Sequence, residues 1–130
     1  MINVLVSGNV GVYLGMEVTI YSLMKHNRNV NLYVLTSSFE QIPQPWDNAV
    51  KLYEGLDEDQ KKKITNIVRY FDPDNSSVTF IDPIELYRTH LEGGANEFSC
   101  FTPYAAFRLL ADLILTDLDD VLYLDCDTVI

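Results

Sequence analysis

The sequence predicts an α/β fold, with a mostly parallel sheet flanked by helices. Short β-rich runs alternate with segments of helical period, beginning strand, helix, strand. With 130 residues, 48% hydrophobic and 22% charged, the chain can bury a core and lacks the apolar-poor composition of disordered chains. The last apolar run, Val121–Leu124, leads directly into a pair of acids, as strands do where an open parallel sheet carries its ligand. One α/β domain spanning residues 1–130 is expected.

Asn3–Val6 reads as the first buried strand, and Ser7-Gly8-Asn9-Val10-Gly11 places two glycines where the chain must turn. Between Val12 and Asn27, Met16, Ile20, Leu23 and Met24 recur at helical spacing, with Glu17 and Lys25 off that stripe. Asn27-Arg28-Asn29 ends the helix, and Val30–Leu35 supplies the second strand of a βαβ unit. Thr36–Leu56 follows no period and contains Pro43, Pro45 and Gly55, so an irregular connection is expected, with Trp46 packing it onto the body in preference to the alternative of a substrate platform. Asp57 opens the next helix with Gln60 three residues on, a variant of the capping box. Ile64, Ile67, Val68 and Phe71 form its buried stripe, and Lys61, Lys62 and Lys63 its solvated face.

Asp72–Ser76 is turn chemistry, and Val78–Asp82 reads as the third strand. A short helix over Ile84–Leu91 and the glycine-containing stretch Glu92–Asn96 come next, the latter of the kind that borders binding sites. Thr102 suits an N-cap and Pro103 the first helical position, which predicts a helix to about Thr116 with Tyr104, Phe107, Ala111 and Ile114 inward. Val121–Leu124 is nearly continuous in its apolar character, as in a central strand buried on both faces.

Nine basic residues against 19 acidic ones give a net charge of −10, which argues against a nucleic-acid partner. No run approaches the roughly 20 consecutive apolar residues of a membrane span, and the first residues do not resemble a secretory signal, so a cytoplasmic protein is expected. Cys100 and Cys126 lack the spacing of a zinc site or a disulfide framework, and both are expected to be buried thiols. His26 and His90 are expected at the surface or at helix ends rather than as ligands.

If the last strand stays extended, Asp125 and Asp127 point to the same side with Cα atoms about 7 Å apart, while Cys126 points into the body. Two carboxylates on one face favour a cation, and hard oxygen donors suit Mg²⁺ or Mn²⁺ completed by water and phosphate oxygens. The competing reading makes both acids a solvated strand end. For Arg108, the alternatives are a planar donor set for phosphate or sugar oxygens and a salt bridge to Asp112 one turn later.

Val121-Leu122-Tyr123-Leu124-Asp125-Cys126-Asp127 resembles the VLYLDxD segment of glycosyltransferase family 8, the group containing bacterial lipopolysaccharide galactosyl- and glucosyltransferases and glycogenin. The resemblance extends to Phe107-Arg108-Leu109-Leu110, similar to the family's YRLL helix, and to Tyr13-Leu14-Gly15 with Ser22-Leu23. It implies a Rossmann-like GT-A nucleotide-sugar-binding fold and transfer of a hexose, with retention, from UDP-glucose or UDP-galactose to a saccharide acceptor. Asp125 and Asp127 would then hold Mn²⁺ or Mg²⁺, and Arg108, seventeen residues before the first acid, would meet the donor near its diphosphate or sugar.

Ser7 and Asn9 fall where the family holds uracil, but Ser7 and Gly8 stand in place of acids and Val10 in place of the aromatic residue. Base recognition is therefore expected to be altered, and a turn that needs small residues is the competing reading there. The family pattern continues well past the DxD strand, which implies that residues 1–130 are the N-terminal, donor-binding part of a longer enzyme. Its later residues would supply the acceptor site, a metal-binding histidine and any peripheral membrane contact. A non-catalytic nucleotide- or metal-binding module is the alternative. A phosphatase or receiver-like domain leaves Arg108 unexplained, and no P-loop, GxGxxG or Ser/His/Asp arrangement is present.

Overall fold

Apolar residues on successive positions of the first two strands need cover on both faces of the sheet, and the architecture follows from that need. The computed structural model describes residues 1–41, 50–94 and 102–130. Strand β1 (Ile2–Ser7) leads through a 3₁₀ turn at Val10–Val12 into helix α1 (Tyr13–His26), and β2 (Val30–Leu35) returns parallel to β1 with Val4 opposite Leu32. Helix α2 (Glu58–Phe71) precedes β5 (Ser77–Ile81), which adds parallel to β2. After α3 (Ile84–His90), α4 (Pro103–Ala106) and α5 (Ala111–Ile114), the short β6 (Leu122–Tyr123) pairs parallel with the other side of β1.

The resulting order is β5-β2-β1-β6, so the chain winds outward from β1 in one direction and then crosses to its other side. Side-chain alternation divides the core accordingly. Val4, Val6, Val30, Leu32 and Val34 pack with the Met16, Ile20, Leu23 and Met24 stripe of α1 and with Ile64 and Val68 of α2. Leu5 and Leu35 face the opposite layer, where Phe39, Tyr87, Tyr104, Phe107 and Leu110 gather. Asp57 and Gln60 close a full capping box at the start of α2, fixing where that helix begins. Lys62 and Lys63 are exposed as expected, while Lys61 pairs with Glu58 at 3.6 Å and lies over the Phe80 ring.

Several expectations need correction. Part of the segment expected to be irregular forms an antiparallel ribbon of β3 (Phe39–Gln41) and β4 (Lys51–Tyr53), because Phe39 stacks on Tyr53 and plugs the second core layer. The single helix expected from Thr102 to Thr116 is interrupted by a 3₁₀ segment at Phe107–Leu110, which rotates Phe107 and Leu110 both inward. Thr102 has the extended backbone of an N-cap and Pro103 follows at the first helical position, but the Thr102 side chain makes no capping bond. Val121–Leu124 is not a strand buried on both faces: β6 spans two residues at the sheet's edge and Leu122 is 54% exposed. Trp46, Pro43, Pro45, Cys100 and the Ala95-Asn96 end of the glycine stretch lie outside the described residues.

The amino ends of the strands are tied by one carboxylate. Asp72, only 6% exposed, accepts from the Asn29 amide at 2.8 Å and the Ser76 hydroxyl at 2.7 Å, and the Ser76 oxygen in turn accepts from the Val30 amide at 2.9 Å. Asn29 takes φ = 60°, a left-handed conformation that asparagine tolerates, and its carbonyl accepts from the Ile2 amide. The Asn29 amide, followed by the Ser76 hydroxyl, holds the Asp72 carboxyl below its ordinary value. A depressed carboxyl pKa stabilises the fold above about pH 4 and that contribution is lost as pH falls through the folded value. Asp72→Asn should therefore unfold at lower urea concentration than the parent at pH 7, with the gap between the two closing as pH falls toward 3.

Candidate functional site

The sheet's order reverses between β1 and β6, and the carboxyl ends of these two strands carry the residues singled out by sequence. In open α/β sheets such a reversal opens a crevice, because the flanking connections leave in opposite directions. Ser7, Gly8 and Asn9 follow β1, and Asp125, Cys126 and Asp127 follow β6. The ladder continues one step beyond β6 through the Leu124 amide to the Leu5 carbonyl at 3.0 Å.

The chain then turns: the Thr128 amide donates to the Asp125 carbonyl at 3.2 Å, closing a turn over Cys126 and Asp127. The extended backbone expected through Asp127 is thus replaced by a turn, and alternation past Asp125 no longer fixes a common side. Alternation does hold up to that point. Tyr123 packs with the second core layer and Leu124 with the first, which leaves Asp125 on the Tyr123 side. Both acids are exposed, and Cys126 points inward as expected but is half-buried where a buried thiol was expected.

Two contacts seat this turn. The Cys126 thiol donates to the Ser7 carbonyl at 3.1 Å, joining the tips of β6 and β1. The Cys126 carbonyl lies against α1 at Gly15, where any Cβ would collide with it. Gly8 serves the same approach from β1, since a Cβ there would come within 3.4 Å of the Cys126 sulfur and 2.6 Å of Val12 Cγ2. Farther along, the Ile130 amide donates to the Ser22 hydroxyl at 3.1 Å, so the segment runs along α1.

Arg108 reaches the same corner from the 3₁₀ segment. Its guanidinium lies 5.4 Å from the centre of the Tyr123 ring, and among the described residues no ion pair joins it to Asp112. Burial, then the neighbouring Asp125 carboxylate through charge and hydrogen bonding, pushes the Tyr123 hydroxyl up to about 12, with Arg108 partly offsetting them. Tyr123 therefore neighbours both Arg108 and Asp125 on one side of β6.

Ser7 and Asn9 take different places. Ser7 is 7% exposed and its hydroxyl donates to the Tyr104 carbonyl at 2.7 Å, tethering β1 to α4. Asn9 is partly exposed beside the Tyr104 hydroxyl, which donates to the Ser37 carbonyl at 2.6 Å. Burial raises that hydroxyl above its ordinary value, and the Asn9 side chain opposes the rise. His26 and His90 sit exposed in the last turns of α1 and α3, away from the acids in the fold.

Asp125 and Asp127 offer hard oxygen donors on one exposed turn, which fits a small divalent cation whose remaining ligands are water and phosphate oxygens. Among the described residues no three His, Cys, Asp or Glu side chains gather into a ready-made metal cage. Sequence reasoning named Tyr123, Tyr104 and Gly15 but gave them no role at the site. For Gly15 a signal existed, since a glycine inside an amphipathic helix disfavours the helix and implies close packing.

No protein-family model, curated protein or solved structure matches the chain. No described helix is long and apolar enough to cross a membrane.

At an open helix position Gly→Ala stabilises by about 1 kcal/mol, whereas overpacking costs about 1–3 kcal/mol. Gly15→Ala should therefore lower the urea midpoint instead of raising it. The Cys126 thiol is pushed up to about 11 by burial, so it stays protonated and poorly nucleophilic at neutral pH. In a Cys100→Ser background, Cys126 should react with iodoacetamide at pH 7.5 far more slowly than a free thiol, and react readily once the chain is unfolded in urea.

Proposed function

We propose that the chain binds the diphosphate of a nucleotide-sugar, together with Mn²⁺ or Mg²⁺, over the carboxyl ends of β1 and β6. In this reading it is the donor-binding part of a retaining hexosyltransferase with a GT-A fold, similar to glycosyltransferase family 8. The observation that carries the reading is the contact of Arg108 with the Tyr123 ring, which sets a guanidinium from a separate element against β6 two residues before Asp125, at the point where the sheet's order reverses.

Asp125 and Asp127 would hold the cation, whose charge would offset that of the departing nucleoside diphosphate. Arg108 is exposed and free of a carboxylate partner among the described residues, so its donors are available to phosphate or sugar oxygens. Asn9, partly exposed just after β1, would add a hydrogen-bonding side chain to the site. Ser7, whose hydroxyl is engaged by the Tyr104 carbonyl, contributes by shaping the turn. UDP-glucose and UDP-galactose are the donors this reading names, with a saccharide as acceptor.

Isothermal titration of the chain with UDP, UDP-glucose and UDP-galactose, each with and without Mn²⁺, tests the reading. Binding should require the metal, and Asp125→Ala or Asp127→Ala should weaken it by about tenfold or more while leaving the circular dichroism spectrum unchanged. Binding that is absent, or indifferent to both the metal and the acids, would overturn it.

A further inference from the structure

Arg108 and Asp125 have no contact of their own to keep them aligned, and one side chain lies between them. Tyr123 belongs to β6, where pairing with Leu5 fixes its backbone, and its ring packs into the second core layer. The face of that ring meets the Arg108 guanidinium at 5.4 Å from the centroid, and alternation along β6 sets Asp125 on the same side as the ring. Arg108 stands on a 3₁₀ segment and Asp125 at the mouth of a turn, both exposed. Long exposed side chains sample many rotamers unless something holds them.

From this juxtaposition of ring, guanidinium and carboxylate we infer that Tyr123 is a positioning residue. Its ring orients Arg108 by cation–π contact, and its hydroxyl orients Asp125, so that the group bound at the carboxylates and the group bound at the guanidinium are held at one fixed separation. The inference rests on the proposed donor site and adds a role that neither the acids nor the arginine supplies. Its chemistry separates into two halves. Phenylalanine keeps the aromatic face and loses the hydroxyl, whereas leucine loses both.

The test measures Mn²⁺ alone, then UDP in the presence of Mn²⁺, by isothermal titration on the parent, Tyr123→Phe and Tyr123→Leu, with urea midpoints as the folding control. The Arg108 Nε–Hε resonance is followed by NMR without ligand. The phenylalanine variant should keep the ring-shifted Arg108 signal and weaken Mn²⁺ by several-fold. The leucine variant should lose that signal and weaken UDP in Mn²⁺ by on the order of tenfold.

Equal affinities in all three folded proteins, or an Arg108 resonance unchanged by leucine, would overturn the positioning role while leaving the donor site standing. A parent chain that binds neither Mn²⁺ nor UDP would overturn both, even with the Arg108 signal behaving as described. Variants that lose only urea midpoint and bind like the parent would make Tyr123 a packing residue and end the inference.

Discussion

The candidate site depends on a backbone carbonyl, that of Cys126, resting on a helix where no side chain intervenes. A β-carbon at Gly15 would push the segment after β6 off α1. The thiol of the same residue holds the neighbouring strand tip through the Ser7 carbonyl. Because β6 pairs over only two residues, this seating supplies much of what fixes the turn bearing Asp125 and Asp127. The sheet itself is anchored elsewhere, in the long parallel pairing of β1 with β2. The short strand is thus positioned by its end more than by its ladder.

Elements with strong periodicity could be read from sequence: α1 by Met16, Ile20, Leu23 and Met24, α2 by its capping box, and β2 over its full length. The β3–β4 ribbon could not, because alternation over Phe39–Gln41 and Lys51–Tyr53 is too brief to stand out between irregular residues. The break near Phe107 was hidden for a different reason. Apolar residues at 104, 107 and 111 satisfy an uninterrupted helix equally well, and only packing against Leu5 and Phe39 selects the tighter winding. The run at Val121–Leu124 was ambiguous too, since an edge strand between two core layers needs the same residues as a central one.

Within the site, residue types were legible and their arrangement was not. Two acids one residue apart were evident, but the turn that begins at Asp125 is closed by a local hydrogen bond that no spacing encodes. Ser7 offered a hydroxyl that its surroundings use internally, and Arg108 found an aromatic face in place of the carboxylate one turn away. The net charge of −10 gives these details weight, since an anionic ligand approaching this surface meets repulsion that local cationic groups must offset.

The Asp72 tie lies at the opposite pole of the sheet from the acidic turn. There a single carboxylate fastens the loop entering β2 to the loop entering β5, so two crossovers share one rivet. The floor of the molecule is thereby fastened by contacts separate from those that seat the roof. Substitutions that remodel ligand preference around Asn9 or Asp127 need not loosen the foundation, and reinforcing the foundation need not stiffen the crevice.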